Sequence, residues 1–376
     1  MRVRSTLQRV LEPIYADKPL VEHALRKLDG AVDLLKQTAV FSLPALARPD
    51  PRRIYVTLTA LCNLRCKGCL YGVSQFMPGQ QLPWPLVRDL LDDARALGIR
   101  NVRLYGGEPL LYRDLPKVVR HATEIGLHTW MTTNGILLRE RFDALFDAGL
   151  RHLDFGFYGT GAEYDTYVRR NDRFRRLEEG ISYVRDRYGK AVTIKMGWLL
   201  MRPTCSPEAL RETWAFATRY DTPIYVNLFH YSLPYFTEGT ESELKFDPAD
   251  RAMVERVVDE LLQLQQQSPH MFENSRIGLQ SIPDWLIRGA NMRVPCTERE
   301  LIWVGADGTV QMCYVTFRLG NLHEKRLKEL LFSPEHHRAA RDSVALNCPN
   351  CHCSYDRRTN EHFATRRLYS TRTLRA

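Results

Sequence analysis

Long apolar runs are missing from this sequence of 376 residues, and no stretch comes near the ~18 consecutive apolar residues of a membrane-spanning helix. The first ten residues, MRVRSTLQRV, have no apolar core of the kind found in secretory signals. We therefore expect a cytoplasmic protein without a transmembrane segment. Acidic residues are the scarcer charge, and the net charge of +9 permits an anionic partner without requiring one. No nucleic-acid partner is expected.

Disulfides are not expected either, although the sequence has nine cysteines, because the reducing cytoplasm opposes them. Eight of the nine fall into two groups, residues 62–69 and 296–353. Cys205 stands alone, and we interpret it as a packing residue. Grouped cysteines without disulfides indicate metal or redox chemistry.

Predicted strands and helices alternate from residue 54 onward. The strands are IYVTLTA (54–60), NVRLYGG (101–107), HTWMTTNG (128–135), HLDFGFYG (152–159), VTIKMGWLL (192–200) and PIYVNLFH (223–230). This alternation is typical of a parallel sheet with right-handed crossovers. Six units are too few for a closed eight-fold barrel, so the prediction is an α/β fold, a partial (β/α)6 barrel. Its functional site should lie at the carboxyl ends of the strands.

The rest of the chain divides around this barrel. We predict an N-terminal helical extension and linker (1–50), the barrel (51–235), a helical connector (236–290), a small Cys-rich α+β domain (291–355) and a basic tail (356–376). The extension should pack on the barrel, with a membrane surface as the alternative. The tail, rich in arginine, is interpreted as solvated and partly disordered, with a partner-binding arm as the alternative.

Three cysteines follow directly on the first strand, as Cys62-x3-Cys66-x2-Cys69. Soft thiolate ligands suit iron–sulfur clusters and zinc. A zinc site needs a fourth ligand close by, yet the next histidine is His121 and the next cysteine is Cys205. Three thiolates with one open position fit a cluster that binds a further ligand at its fourth iron, and zinc stays as the alternative.

The run LCNLRCKGC (61–69) resembles the cluster motif of the radical S-adenosylmethionine (SAM) superfamily. Gly106-Gly107-Glu108-Pro109 closes the second strand and is similar to the family's GGEP element, and Thr133-Asn134-Gly135 closes the third and resembles its TNG turn. The resemblance covers about residues 54–235. It implies a [4Fe–4S] cluster on the three cysteines and SAM bound at these strand ends, with its amino group on the GGEP element.

Two positions depart from the family pattern or extend it. The family usually has an aromatic residue before the last cysteine, where this chain has Gly68, so the adenine contact must come from elsewhere, and Tyr71 is the candidate. Arg169 is a candidate partner for the SAM carboxylate, because a guanidinium binds carboxylates through two parallel hydrogen bonds. The alternative is an arginine at the surface end of a helix.

The second group of cysteines resembles the SPASM/Twitch extension of radical SAM enzymes, which carries auxiliary clusters. The full form has seven cysteines, and this chain has five, which favours one auxiliary [4Fe–4S] cluster. The expected ligands are Cys296, Cys313, Cys348 and Cys351, with Cys353 as a spare or alternative fourth ligand. Structural zinc is the alternative for this group too.

The family resemblance implies an enzyme in which a reduced cluster cleaves SAM to a 5′-deoxyadenosyl radical, which takes a hydrogen atom from a substrate carbon. An electron donor such as flavodoxin or ferredoxin would be needed. The auxiliary cluster suggests net oxidation of a small molecule such as a sugar or aminocyclitol, as by a dehydrogenase. The alternatives are a ribosomally made peptide, a lipid or isoprenoid substrate, and a zinc-stabilised binding protein. Candidates for a general base are Tyr158, Lys195 and His230.

Overall fold

A computed structural model describes residues 38–69, 71, 80–229, 241–313 and 316–371. Most of the predicted N-terminal extension and the candidate base His230 lie outside the described residues. Residues 38–42 are helical and lead into a short 3-10 turn at Pro44–Leu46. No helix of the described residues is long and apolar enough to cross a membrane.

The described strands form one sheet in the order β6-β5-β4-β3-β2-β1-β7-β8-β9. Strands β1 to β6 pair in parallel, each with its neighbour in the chain, which confirms the predicted partial barrel. The strands are β1 (Arg53–Thr59), β2 (Asn101–Gly106), β3 (His128–Thr133), β4 (His152–Phe157), β5 (Thr193–Leu200), β6 (Ile224–Leu228), β7 (Leu301–Val304), β8 (Thr309–Met312) and β9 (Phe317–Asn321).

Helices cover the outside of the barrel and fill the connector and the C-terminal region. They are α1 (Trp84–Ala96), α2 (Leu115–Glu124), α3 (Leu138–Asp147), α4 (Gly161–Val168), α5 (Arg173–Tyr188), α6 (Pro207–Arg219), α7 (Glu241–Leu244), α8 (Arg251–Gln267), α9 (Arg276–Arg288), α10 (Leu327–Leu330), α11 (Pro334–Ala345), α12 (Tyr355–Glu361) and α13 (Phe363–Ser370).

Alternate residues of each barrel strand face the helices or the barrel interior, as the two-residue repeat of a strand requires. On β4, Phe155 and Phe157 are buried and contact Phe216 of α6. Their neighbour Asp154 points to the other face, toward the positive charges of Arg103 and Lys195. The interior of the barrel is therefore polar near the amino end of β4. The side chains on the opposite face of the strand pack against the helices and form the apolar core.

The Cys-rich region joins the barrel sheet instead of forming a separate one. Strands β7 and β8 form an antiparallel hairpin, and β7 pairs in parallel with β1 from Arg53↔Leu301 to Val56↔Val304. Without β7, strand β1 would be an open edge with unpaired backbone groups. The predicted boundary at residue 291 thus falls just before strands that extend the barrel, and β9 was not expected from the sequence.

The prediction of a solvated basic tail from residue 356 is wrong for the described part. Residues 355–370 form helices α12 and α13, and Tyr355, Arg358 and Tyr369 are each at most 2% exposed. Helix α12 packs on α9, where the carboxylate of Asp356 accepts hydrogen bonds from the Ser275 amide and hydroxyl at 3.1 and 2.8 Å. The abundance of arginine concealed a buried i, i+3, i+4 face.

One buried histidine should make the fold sensitive to acid. His336 in α11 is fully buried, its Nδ1 accepts from the Phe332 amide at 3.0 Å, and burial together with His337 lowers its pKa to about 4. The unfolded chain, with a histidine pKa of about 6.5, binds more protons between these values, so stability falls as the pH falls through that window.

We expect this group to remove about 1.4 kcal/mol of unfolding free energy per pH unit between pH 6.5 and 4. His336→Gln should flatten that part of the pH profile in denaturant unfolding, whereas His323→Gln, an exposed site, should not. Equal slopes for the wild type and His336→Gln would contradict the assignment.

Candidate functional site

The loop with the first three cysteines is anchored at the carboxyl end of the barrel. It follows β1, and its backbone amides at Arg65 and Lys67 donate to the carbonyls of Val168 and Tyr167 at 3.1 and 3.0 Å. Those carbonyls belong to the last turn of α4. A second element thus holds the loop that presents Cys62, Cys66 and Cys69, and the three thiols do not depend on the loop alone for their placement.

The electrostatics of the loop favour protonated thiols when no metal is bound. Burial raises the pKa of Cys62 to about 12, and the charges of Glu108 and Cys69 add to the rise, although hydrogen bonds from Leu64 and Asn134 oppose it. Burial and the other two thiolates also raise the pKa of Cys66. Metal ligation requires thiolates, so bound iron ions would have to supply the stabilisation that burial of the thiols opposes.

Two glycines bring the end of β2 against the cysteine loop. The amides of Gly107 and Glu108 donate to the carbonyls of Thr59 and Leu61 at 2.8 and 2.7 Å. A Cβ on Gly107 would lie 2.2 Å from the Leu61 oxygen, and one on Gly106, at φ +145°, would lie 2.3 Å from the Thr59 oxygen. Only glycine fits at either position. The close approach of the two backbones therefore explains the two glycines of the GGEP element without reference to any family.

Glu108 is a buried structural acceptor. Its Oε1 accepts from the Leu110 amide at 2.9 Å and the Thr133 hydroxyl at 2.7 Å, and its Oε2 accepts from the Asn134 amide at 2.7 Å. Burial raises its pKa to about 7, although these donors oppose the rise. The carboxylate therefore ties the ends of β2 and β3 together. Its contact with the SAM amino group, and that of neighbouring Pro109, stay predictions.

Asn134 connects the third strand to the cysteine loop. Its Nδ2 donates to Asn63 Oδ1 at 2.7 Å and lies 3.9 Å from Cys62 Sγ, and its Oδ1 accepts from the Ile136 amide at 3.1 Å. An N–H aimed at a ligating sulfur is one of the ways in which proteins tune iron–sulfur sites. Asn63 is not among the residues that the sequence motifs indicate, and its position between Cys62 and Cys66 is the signal that points to it.

Three tyrosines cover the cysteine loop. The ring of Tyr158 lies 4.4 Å from that of Tyr167 and 5.6 Å from that of Tyr164, and its hydroxyl lies over Gly156. Burial raises the pKa of Tyr158, and the thiolates of the loop raise it further. Tyr164 is fully buried, and its hydroxyl has no hydrogen-bond partner among the described residues. This unsatisfied group beside the loop fits a site that receives a bound molecule.

A cavity of about 280 Å³ opens beside the same loop. Its walls include Lys67 of the loop, Tyr158 and Glu163, and the residues that follow β5, such as Met201. It therefore lies at the carboxyl end of the sheet, the edge at which α/β folds bind ligands.

The other predicted cofactor residues lie at the same end of the barrel. The Tyr71 hydroxyl is 3.0 Å from Thr57 Oγ1, and its ring meets Tyr105 edge-on at 6.4 Å. Arg169 is exposed and adopts a left-handed conformation, φ +52°, immediately after the carbonyls that hold the cysteine loop. Their contacts with adenine and with the SAM carboxylate stay predictions.

Lys195 is not placed to act as a base at the cysteine loop. It lies five residues before the end of β5, which is about 16 Å along a strand, and its Nζ forms an ion pair with Glu273 at 2.8 Å. An ammonium held in this way at the opposite half of the barrel cannot reach the strand ends.

The five remaining grouped cysteines, called the auxiliary cysteines below, share one neighbourhood. Their mutual charge effects link Cys351 to Cys296, Cys348 and Cys353, and link Cys353 to Cys313. The Cys353 thiol donates to the Cys351 sulfur, which lowers the pKa of Cys351. Cys313 follows β8 with a φ of +75°, an uncommon conformation for a residue with a side chain.

The donor chemistry at both cysteine groups fits iron–sulfur ligation, with thiols alone at each. None of the nine cysteines forms a disulfide. In residues 38–69, 71, 80–229, 241–313 and 316–371, no three His, Cys, Asp or Glu side chains are gathered closely enough to hold a metal ion. The auxiliary group offers one thiol more than a cubane with four cysteine ligands needs, so which four ligate stays a prediction.

Comparisons with known proteins agree with this geometry. Residues 56–202 match the model of the radical SAM superfamily, and residues 296–353 match that of SPASM, an iron–sulfur cluster-binding domain. A PqqA peptide cyclase from Rhodopseudomonas palustris is 38% identical over 113 residues, 30% of each chain. A GTP 3',8-cyclase from Chlorobaculum tepidum is 33% identical over 151 residues, 40% of this chain and 45% of the relative. The chain thus matches less than half the length of these relatives.

Solved structures resemble most of the chain. The structure of anSMEcpe with bound AdoMet has a TM-score of 0.61 at 14% identity and covers 86% of this chain and 100% of its own. Streptococcus suis SuiB bound to its precursor peptide SuiA also has a TM-score of 0.61 at 14% identity, with 93% and 84% covered. At such identities the likeness shows the fold alone.

Proposed function

We propose that this chain, a radical SAM protein with a SPASM iron–sulfur domain, removes a hydrogen atom from a polar substrate held inside the barrel. When bound, the [4Fe–4S] cluster and SAM supply the 5′-deoxyadenosyl radical, and an auxiliary cluster supplies a second redox centre. The observation that carries the proposal is the arrangement of Cys62, Cys66 and Cys69 on one loop braced by the ends of two neighbouring strands.

In this proposal the protein's own residues hold and shield the reacting groups. The three cysteines would ligate the SAM-binding cluster, and the close approach of Gly106 and Gly107 leaves the adjoining backbone accessible to SAM. Glu108 and Asn134 fix the loop relative to the neighbouring strands. The tyrosines around Tyr158 exclude water above the loop, and Tyr158 is retained as the candidate for proton transfer.

The barrel interior supports a substrate with charged or hydrogen-bonding groups. Arg103 donates to Thr132 Oγ1 at 2.7 Å, and Lys195 pairs with Glu273 at 2.8 Å. Asp154 lies between these cations, where burial raises its pKa and both cations oppose the rise. These groups lie toward the amino ends of the strands, so a lipid or isoprenoid chain that extended from the strand ends into the interior would bury them against hydrocarbon at a cost, and we do not favour that substrate class.

We favour a peptide substrate. One relative is named for a peptide cyclase, and the structural neighbour SuiB binds a precursor peptide. The second candidate is a small polar molecule, a sugar or aminocyclitol oxidised as by a dehydrogenase, and the ion-paired interior at Asp154 favours it. A flavodoxin or ferredoxin is proposed as the electron donor, and the net charge of +9 would favour an acidic one.

The test is SAM cleavage by protein reconstituted anaerobically with iron and sulfide and reduced with dithionite. We expect release of 5′-deoxyadenosine, stimulated by a fraction of an extract from the source organism. Stimulation by the peptide fraction that is lost on protease treatment supports the first candidate, and stimulation by the small-molecule filtrate supports the second. Reconstituted protein that holds iron but never cleaves SAM would overturn the proposed function.

A further inference from the structure

A buried arginine lies against the auxiliary cysteines. Arg358 of α12 is 1% exposed, and its Nη1 donates to the carbonyl of Cys351 at 2.6 Å. Its Nη2 donates to the carbonyl of Val294 and to Asn350 Oδ1, and its guanidinium stacks over Trp285, 4.7 Å from the ring centroid. The side chain is thus fully enclosed and oriented by neutral groups.

No carboxylate of the described residues forms an ion pair with Arg358, and its Nε has no hydrogen-bond partner there. Its neighbour in the sequence differs: Arg357 pairs with Glu300 at 2.7 Å and with Glu361 at 2.6 Å. A buried charge is costly unless an opposite charge compensates it. A negative group other than a side-chain carboxylate would therefore stabilise the buried charge of Arg358.

The auxiliary cysteines are the groups that can become this partner. Burial raises the pKa of Cys296 and Cys348, and the charge of Arg358 opposes both rises. Glu298 acts in the opposite direction on Cys296, but its carboxylate is already paired with Arg53 at 2.9 Å. Arg293 also faces Cys348 and adds to the positive field. Arg358, whose Nη1 donates to the Cys351 carbonyl at 2.6 Å, is thus a buried positive charge placed directly against this group of thiols.

We propose that Arg358 is the fixed counter-charge of the auxiliary iron–sulfur cluster and that it sets the reduction potential of that cluster. A cubane held by thiolates carries a net negative charge, and one-electron reduction makes it more negative, so a buried cation beside it favours the reduced form. Arg358 is a positioning residue, since it acts on the ligands and does not contact substrate. The inference rests on the proposed assignment of the auxiliary cysteines as cluster ligands.

The experiment uses a full-length Cys62/Cys66/Cys69→Ala background, which should leave the auxiliary cluster as the one redox centre. After anaerobic reconstitution, the iron content per chain is measured. The midpoint potential is then determined by titration with dithionite, with electron paramagnetic resonance used to monitor the reduced cluster. Arg358→Gln should lower the midpoint potential by at least about 59 mV, which corresponds to a tenfold change in the equilibrium constant of a one-electron reduction. Arg358→Lys should keep most of the parent potential, because it keeps the charge.

Arg357→Gln is the matched control, because it also removes one positive charge, one residue away and within ion pairs. It should leave the potential unchanged. An Arg358→Gln variant with full iron and the parent potential would overturn the inference. If Arg358→Gln fails to load iron but Arg358→Lys keeps both the iron and the parent potential, the inference is supported. If both variants lose iron, the hydrogen bonds of the guanidinium hold the site, and the inference about its charge is overturned.

Failure of the proposed function would be visible separately. A protein whose auxiliary potential responds to Arg358 but which never cleaves SAM keeps this inference and loses the proposed reaction. If replacing Cys296 and Cys351 together by alanine in the same background leaves the iron content unchanged, the ligand assignment is wrong, and the inference about Arg358 falls with it.

Discussion

Replacing Cys62, Cys66 and Cys69 together by alanine should lower the iron content of reconstituted protein from about eight to about four atoms per chain, the difference of one cubane. Release of 5′-deoxyadenosine should fall to background. The reason is that these three thiols are the cysteines on the loop after β1, and in the described structure the cysteine that follows in the chain, Cys205, is buried in the core.

Cys205→Ala is the control for this triple variant. Cys205 is 1% exposed, and burial raises its pKa to about 12, so it is an inert packing thiol. The variant should hold full iron and cleave SAM at the parent rate, with a modest loss of stability from the small cavity. Zinc at the first loop in place of iron, or a triple variant that retains eight irons, would refute the assignment.

The barrel was predictable because its signals are local. Strand β1 was expected at 54–60 and observed at Arg53–Thr59, and β5 was expected at 192–200 and observed at Thr193–Leu200. The alternation of buried and exposed side chains along a strand, and the glycine that follows it, can be recognised within a few residues of sequence. The motifs at Cys62, Gly106 and Asn134 then had to meet, because the carboxyl ends of neighbouring parallel strands share one edge.

What the sequence did not reveal depends on contacts between distant parts of the chain. The hydrogen bond between Arg53 and Glu298 joins residues 245 positions apart, and the pairing of β1 with β7 has no local signature. Arg358 illustrates the same limit, because an arginine in a basic segment is expected at the surface unless its partners are known. Lys195 is a further case, because its ion pair with Glu273 joins residues 78 positions apart in the chain.

Glu108→Gln should reduce SAM cleavage nearly as strongly as loss of the three cysteines does. The reason is that Glu108 joins the ends of β2 and β3 by hydrogen bonds. The carboxylate accepts from the Leu110 amide, the Thr133 hydroxyl and the Asn134 amide. A glutamine can place its oxygen at the first two donors, but its NH2 then meets the Asn134 N–H, donor against donor. One hydrogen bond is lost and one buried donor is left unsatisfied, which costs about 2–5 kcal/mol in total.

The cost should appear where Asn134 holds the cysteine loop. Once its amide is released, the contacts of its side chain with Asn63 and Cys62 weaken, and the loop loses its brace to β3. We expect 5′-deoxyadenosine release to fall at least ~100-fold, equivalent to about 2.7 kcal/mol at the transition state. The midpoint of denaturant unfolding of the metal-free protein should fall as well, because the lost hydrogen bond belongs to the protein itself.

The control is Glu124→Gln, an exposed glutamate at the end of α2. It removes the same charge and should change neither SAM cleavage nor unfolding. The pH profile separates burial from simple loss of charge. Because burial raises the pKa of Glu108 to about 7, above the value of about 4.3 in the unfolded chain, stability should decline as the pH rises from about 4.3 to 7. That decline should be absent from Glu108→Gln. If the variant retained both the decline and the parent rate of SAM cleavage, Glu108 would not be the group that joins the ends of β2 and β3.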